Sequence, residues 1–180
     1  MSVIDEVLSN NATFARNFDK EGLPLPPARG LAVLACMDAR IHVSRILGLE
    51  IGDAHIIRNA GGAVTEDAIR SLAISQRLLG TREILLIHHT DCGMLTFRDD
   101  EVRAEIERET GIRPPFALEA FADLEADVRQ SVARIQASPF IPHKDRVRGF
   151  IYDVRSGRLT EVEPARELTG SRTQSAPAGV

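Results

Sequence analysis

Two short stretches carry the residue types that do chemistry: AVLACMDAR, residues 32–40, and IHHTDCGML, residues 87–95. Each ends an aliphatic run in a cysteine, and Cys36 and Cys92 are the only two in the chain. His89 and Cys92 are separated by two residues, a spacing that lets one turn aim both side chains at a single ion. Two thiolates and one imidazole suit tetrahedral zinc. Asp38 and Arg40 follow Cys36 at two-residue steps, so in a continued strand all three point to one side. The carboxylate could then serve as a fourth ligand, or pair with the guanidinium and leave a coordination position open to water. A divalent metal with an open position makes water a nucleophile near neutral pH. The plainer alternative makes the two cysteines small buried hydrophobes, His89 a satisfied loop residue and Asp38 with Arg40 a surface ion pair.

A third stretch, IRNAGGAVTEDAIR at residues 57–70, places Gly61 and Gly62 side by side. Glycine allows close backbone approach, so the pair is either a wall of the same pocket or a tight turn. The segment fits neither the dinucleotide fingerprint nor the Walker pattern, which removes a nucleotide phosphate as its ligand.

These residues need elements to position them. LAVLACM (31–37) and EILLIHH (83–89) are nearly continuous aliphatic runs, and AHIIRN (54–59) is a shorter one; all three read as strands buried on both faces. HVSRILGL follows the first, and TEDAIRSLAISQRLLG follows the second, with Thr65 as N-cap, Gly80 as stop and a stripe of Ile69, Leu72, Ala73, Gln76 and Leu79. Strand alternating with helix predicts an α/β fold, a mainly parallel β-sheet core flanked by helices. Cys36 and His89 then sit at carboxyl ends of strands, the edge where open parallel sheets bind ligands. RDDEVRAEIERETG and LEAFADLEADVRQSVARIQAS read as amphipathic helices split by GIRPP, and VRGFIYDVRSGRLTEV as a strand, a turn and a short return. The opening segment, residues 1–22, reads as an N-terminal helical arm set off by GLPLPP, residues 1–163 as one domain, and 164–180 as a disordered tail.

The chain has 180 residues, a formal charge of −4, no Trp and few aromatics. That balance gives no reason to expect nucleic acid as a partner. The acidic start lacks the pattern of a secretory signal, and no apolar run reaches the length of a membrane helix, so the expected compartment is the cytoplasm, with no membrane partner. In a reducing compartment two cysteines more often bind metal or catalyse than form a disulfide.

CMDAR, RNAGG and HHTDCGM, in this order and at these separations, resemble the β-class carbonic anhydrases, most nearly their short, mostly prokaryotic branch, over roughly residues 3–163. The resemblance implies one zinc ion per chain on Cys36, His89 and Cys92, with Asp38 and Arg40 as the dyad that controls the fourth position. It implies attack of zinc-bound hydroxide on carbon dioxide, giving bicarbonate and a proton, and a homodimer, in many members paired into tetramers, with the N-terminal helix lying across its partner. His88, His55, His42 and His143 are candidate proton relays among which the sequence does not select. Similar proteins hydrolyse carbon disulfide or carbonyl sulfide on the same metal site, and the motifs do not separate these substrates. Two further alternatives are a cysteine phosphatase, from the Cys92-x5-Arg98 spacing, and a closed, non-catalytic zinc or redox site holding Cys36, Asp38, His89 and Cys92.

Overall fold

The computed structural model describes residues 2–164, so all but the first residue of the expected tail lie outside the described residues. Five strands form one sheet in the order β2-β1-β3-β4-β5: β1 (Leu31–Cys36), β2 (Ala54–Asn59), β3 (Glu83–His89), β4 (Val147–Tyr152) and β5 (Leu159–Glu161). The first four run parallel, and β5 returns antiparallel to β4, as the turn in the last alternating segment predicts. The α/β expectation holds.

Helices α1 (Val3–Arg16), α2 (Val43–Leu47), α3 (Glu66–Arg77), α4 (Asp99–Thr110) and α5 (Leu124–Ala137) fill the connections. The two faces of the sheet bury different sets. Ala32, Leu34, Ile84 and Leu86 pack with Leu72 of α3 and Val128 and Ile135 of α5. Val33, Ala35 and Ile87 pack on the other face with Ile41, Val43 and Met94. This two-sided burial is why β1 and β3 read as unbroken aliphatic runs.

Thr65 caps α3 as its sequence predicts, its hydroxyl accepting from the Ala68 N–H at 3.2 Å. The helix ends at Arg77, three residues before the expected stop at Gly80. Gln76, the polar break in its stripe, is buried because it exchanges two hydrogen bonds with the His143 backbone, at 2.9 and 3.0 Å. α5 starts six residues later than LEAFAD suggests. The Asp99 carboxylate captures the N–H groups of Leu118, Glu119 and Ala120 at 2.7 to 3.2 Å, and Asp123 then caps the helix through Ala126. A carboxylate that gathers three amides offers that backbone a better partner than a helical turn would. α1 buries none of its residues in the chain.

After β1 the chain builds β2 on one side, then crosses to lay β3 on the other. The gap above the carboxyl ends of β1 and β3 is therefore the topological switch point, where such sheets hold ligands.

Candidate metal centre

Cys36 is the last residue of β1 and His89 the last of β3, while Cys92 enters the 3-10 turn Gly93–Leu95 that follows. One ligating atom from each lies within 4.8 Å of the others, and all three residues are buried. His89 Nδ1 lies 2.9 Å from the Thr90 carbonyl, which can only accept, so that nitrogen carries the proton. Nε2 is left as a bare lone pair, buried and without a hydrogen-bond partner. A buried acceptor with no donor is costly unless something electrophilic meets it.

The thiols are perturbed in opposite senses. Burial raises Cys36 most, but the neighbouring His89 and the N–H groups of Asp38 and Gly61 outweigh it and bring the net value below the ordinary thiol range. Burial pushes Cys92 up to about 11, helped by the charge of Cys36. Burial also opposes the His89 cation, yet Cys36 turns the net direction upward. Two sulfurs that cannot both ionise easily, beside an unpartnered imidazole nitrogen, form a donor set that a soft-tolerant dication completes.

Asp38 stands next to the three candidate ligands and is turned toward Arg40. Its Oδ2 lies 3.8 Å from His89 Nε2, beyond hydrogen-bonding distance. Arg40 grips it in bidentate fashion, Nε to Oδ1 at 2.9 Å and an Nη2–H to Oδ2 at 2.8 Å, and the Arg40 backbone N–H adds 2.8 Å to Oδ1. The strand stops at Cys36, so the two residues meet through a turn, closed by the Ile41 N–H on the Asp38 carbonyl at 3.0 Å, and not along a continued strand. The guanidinium holds the Asp38 carboxyl well below the usual carboxylate range. Arg40 also reaches Asp91, bonding its carboxylate at 2.7 Å and its carbonyl at 2.8 Å. One side chain thus ties the turn that follows Cys36 to the loop carrying Cys92.

Gly61 and Gly62 lie directly behind this cluster. A Cβ on Gly62 would sit 3.0 Å from the Cys36 amide nitrogen and 3.1 Å from the Ile87 carbonyl oxygen, and one on Gly61 would sit 3.0 Å from Met94. Cys36 and Cys92 belong to a buried apolar cluster that also holds Val33, Ile87 and Met94, and Phe121 and Tyr152 pack against that cluster.

Arg58 is a site residue that the sequence does not single out. It donates from Nε to the Cys36 carbonyl at 3.1 Å and from Nη2 to the Asp38 carbonyl at 2.7 Å. It lies inside RNAGG, two residues before the strand-to-glycine turn, but nothing local marks its long-range target. The four other histidines are scattered. His42 caps α2, His55 bonds Ser75 at 2.8 Å, the His143 backbone holds Gln76, and His88 is fully buried, 3.1 Å from Asp127 and stacked on Phe121. A cavity of about 760 Å³ lies elsewhere, between α3 and α5, lined by Ile69, Ile74 and Phe140.

The phosphatase arrangement does not form. Arg98 is 84% exposed and faces Glu101, and the N–H groups of Leu95 and Thr96 are spent on the Cys92 and Gly93 carbonyls. The raised Cys92 thiol is also the reverse of what a thiolate nucleophile requires.

A family model described as carbonic anhydrase matches residues 31–114. Beta-carbonic anhydrase 1 of Mycobacterium tuberculosis (strain ATCC 25618 / H37Rv) is 56% identical over 164 residues, which cover 91% of this chain and 100% of the relative. Carbon disulfide hydrolase of Acidianus sp. (strain A1-3) is 36% identical over 160 residues, 75% of this chain and 78% of the relative. Among solved structures, carbonic anhydrase from Streptococcus mutans superposes with a TM-score of 0.85 at 43% identity, covering 91% of this chain and 99% of that one.

Proposed function

Because this chain belongs to the β-carbonic anhydrase family, we propose that it is a zinc enzyme catalysing the reversible hydration of carbon dioxide to bicarbonate and a proton. The observation that carries the reading is the convergence of Cys36, His89 and Cys92 within 4.8 Å, with His89 Nε2 left bare. Those three residues hold the zinc, one ion per chain. When bound there, zinc supplies the Lewis acidity that lets water act as a nucleophile near neutral pH, the chemistry for which carbonic anhydrases are the standard example.

The chain's own residues do the rest. The His89 Nδ1–H bond to Thr90 fixes the tautomer and the ring. Arg40 keeps the Asp38 carboxylate ionised and turned away from the ligand set, so Oδ2 can accept a hydrogen bond from the attacking water and orient its remaining lone pair. Gly61 and Gly62 form the wall behind the cluster, and the apolar surroundings of the two sulfurs, Ile87 and Met94 among them, suit an uncharged substrate better than a charged one. The Asp38–Arg40 pairing favours an open, catalytic site over a closed structural one.

Carbon disulfide or carbonyl sulfide hydrolysis is the second reading, favoured by the 36% identical carbon disulfide hydrolase. The carbon dioxide assignment is preferred because the carbonic anhydrase relative is both more similar and matched over its whole length. Metal analysis with hydration and hydrolysis assays on all three substrates decides between them. The expected result is one zinc per chain and turnover of carbon dioxide; turnover confined to the sulfur compounds overturns it.

The working form is a homodimer. Val3, Ile4, Val7, Leu8, Phe14 and Phe18 are 45% to 76% exposed, a strip of apolar surface that an isolated chain leaves in water. A second copy of the chain covers it. Removing residues 1–22 is therefore expected to convert the dimer to monomers in sedimentation or light-scattering measurements, and a truncated chain that stays dimeric would remove α1 from the interface. No helix among the described residues is long and apolar enough to cross a membrane.

A further inference from the structure

Asp38 is restrained at two ends by two different arginines. Arg40 takes its carboxylate, and Arg58 takes its main chain. The ladder between β1 and β2 runs out at Met37, whose N–H donates to the Asn59 carbonyl at 2.8 Å. The Cys36 and Asp38 carbonyls flank that last rung, and the Arg58 guanidinium, reaching over from β2, spans both at 3.1 and 2.7 Å. A planar fork with fixed donors can bridge two carbonyls in one geometry, which a flexible ammonium cannot. Asp38 Oδ2 already lies 3.8 Å from His89 Nε2, so the Arg40-paired carboxylate is separated from the ligand set by a short movement of this turn together with the loss of its Arg40 bonds.

We propose that Arg58 is a positioning residue for the metal centre, clamping the Cys36–Asp38 turn through its two carbonyls so that the Asp38 carboxylate stays on Arg40 and off the metal. The clamp rests on the zinc reading of the site. It acts through the backbone and touches neither substrate nor metal. Arg58 holds the main chain of the one residue whose side chain decides whether the centre is open or closed, so it sets the balance between those states without supplying a ligand. The same contact fixes the Cys36 carbonyl, so the sulfur and the carboxylate move together if the clamp is released.

The test compares Arg58→Gln and Arg58→Lys with the unaltered protein, each loaded with zinc and, separately, with cobalt(II). The expected result is one metal per chain in all three proteins. In Arg58→Gln, kcat should fall by about tenfold to a hundredfold with KM little changed, the range seen when a partner of a metal ligand is lost. The cobalt visible spectrum should change as a carboxylate enters the shell, and zinc release to a chelator should slow. Arg58→Lys, able to serve one carbonyl, should fall between the two. An unchanged cobalt spectrum and release rate in Arg58→Gln overturns the clamp, as does a variant that simply sheds its metal. If the unaltered protein binds neither ion, the zinc reading itself fails and takes the clamp with it.

Discussion

Cys36→Ser and Cys92→Ser proteins are expected to lose zinc and activity together. Serine nearly preserves shape, so the change isolates the ligand chemistry: a hydroxyl stays neutral where a thiolate would form, and oxygen is the harder donor. Both residues lie at 3% to 4% exposure, so each new hydroxyl also enters a buried site and carries a desolvation cost of about 1 to 3 kcal/mol wherever the neighbouring groups do not satisfy it. The loss of metal should exceed that. Zinc affinity should drop by well over about 100-fold, because even partners of ligands cost roughly 10- to 100-fold, and turnover should fall to background. A melting series separates the two effects. Excess zinc should raise the melting temperature of the unaltered protein and leave the serine variants where they stand, since a ligand stabilises only the state that binds it. A serine variant that keeps one zinc per chain and hydrates carbon dioxide would end the three-ligand assignment.

The reasons why some of this is legible in the chain, and some is not, are local. β1 and β3 are legible because both faces of each are buried, which leaves little room for a polar residue along Ala32–Cys36 or Ile84–Ile87. Cys36, His89 and Cys92 stand out because few residue types bind metal and these three fall at or just past strand ends. Asp38 and Arg40 are legible as a pair but not in their geometry: a turn, and not strand periodicity, brings them together. Arg58, Asp91 and Asp99 are illegible for one shared cause. Each acts on a partner 19 to 51 positions away, through the end of a long or rotatable side chain, and no periodicity encodes that. The late start of α5 follows directly from the unseen Asp99 contact.

Gly62→Ala should be the most damaging single-methyl change at the site. Its φ of +73° is strained for any residue with a Cβ, at about 1 to 2 kcal/mol. The new methyl would also press on main chain, not on movable side chains: the Cys36 amide at 3.0 Å, the Ile87 carbonyl oxygen at 3.1 Å and the Ala35 carbonyl carbon at 3.2 Å. Overpacking that forces backbone to shift adds about 1 to 3 kcal/mol, for a total of about 2 to 5 kcal/mol. For a chain of this size that is a fall of roughly 5 to 20 °C in melting temperature. Gly111→Ala supplies the control, because φ there is +76° with nothing within 4 Å of the added atom, so it carries the backbone strain alone. The difference between the two variants therefore measures the cost of prising β1 from β3 at the level of Cys36. Since that gap is where the ligands of both strands meet, the Gly62 variant should also bind zinc more weakly, and the Gly111 variant should not. Equal melting temperatures for the two, or full zinc affinity in Gly62→Ala, would mean that the glycine behind the cluster serves its turn only and does not set the spacing of the metal centre.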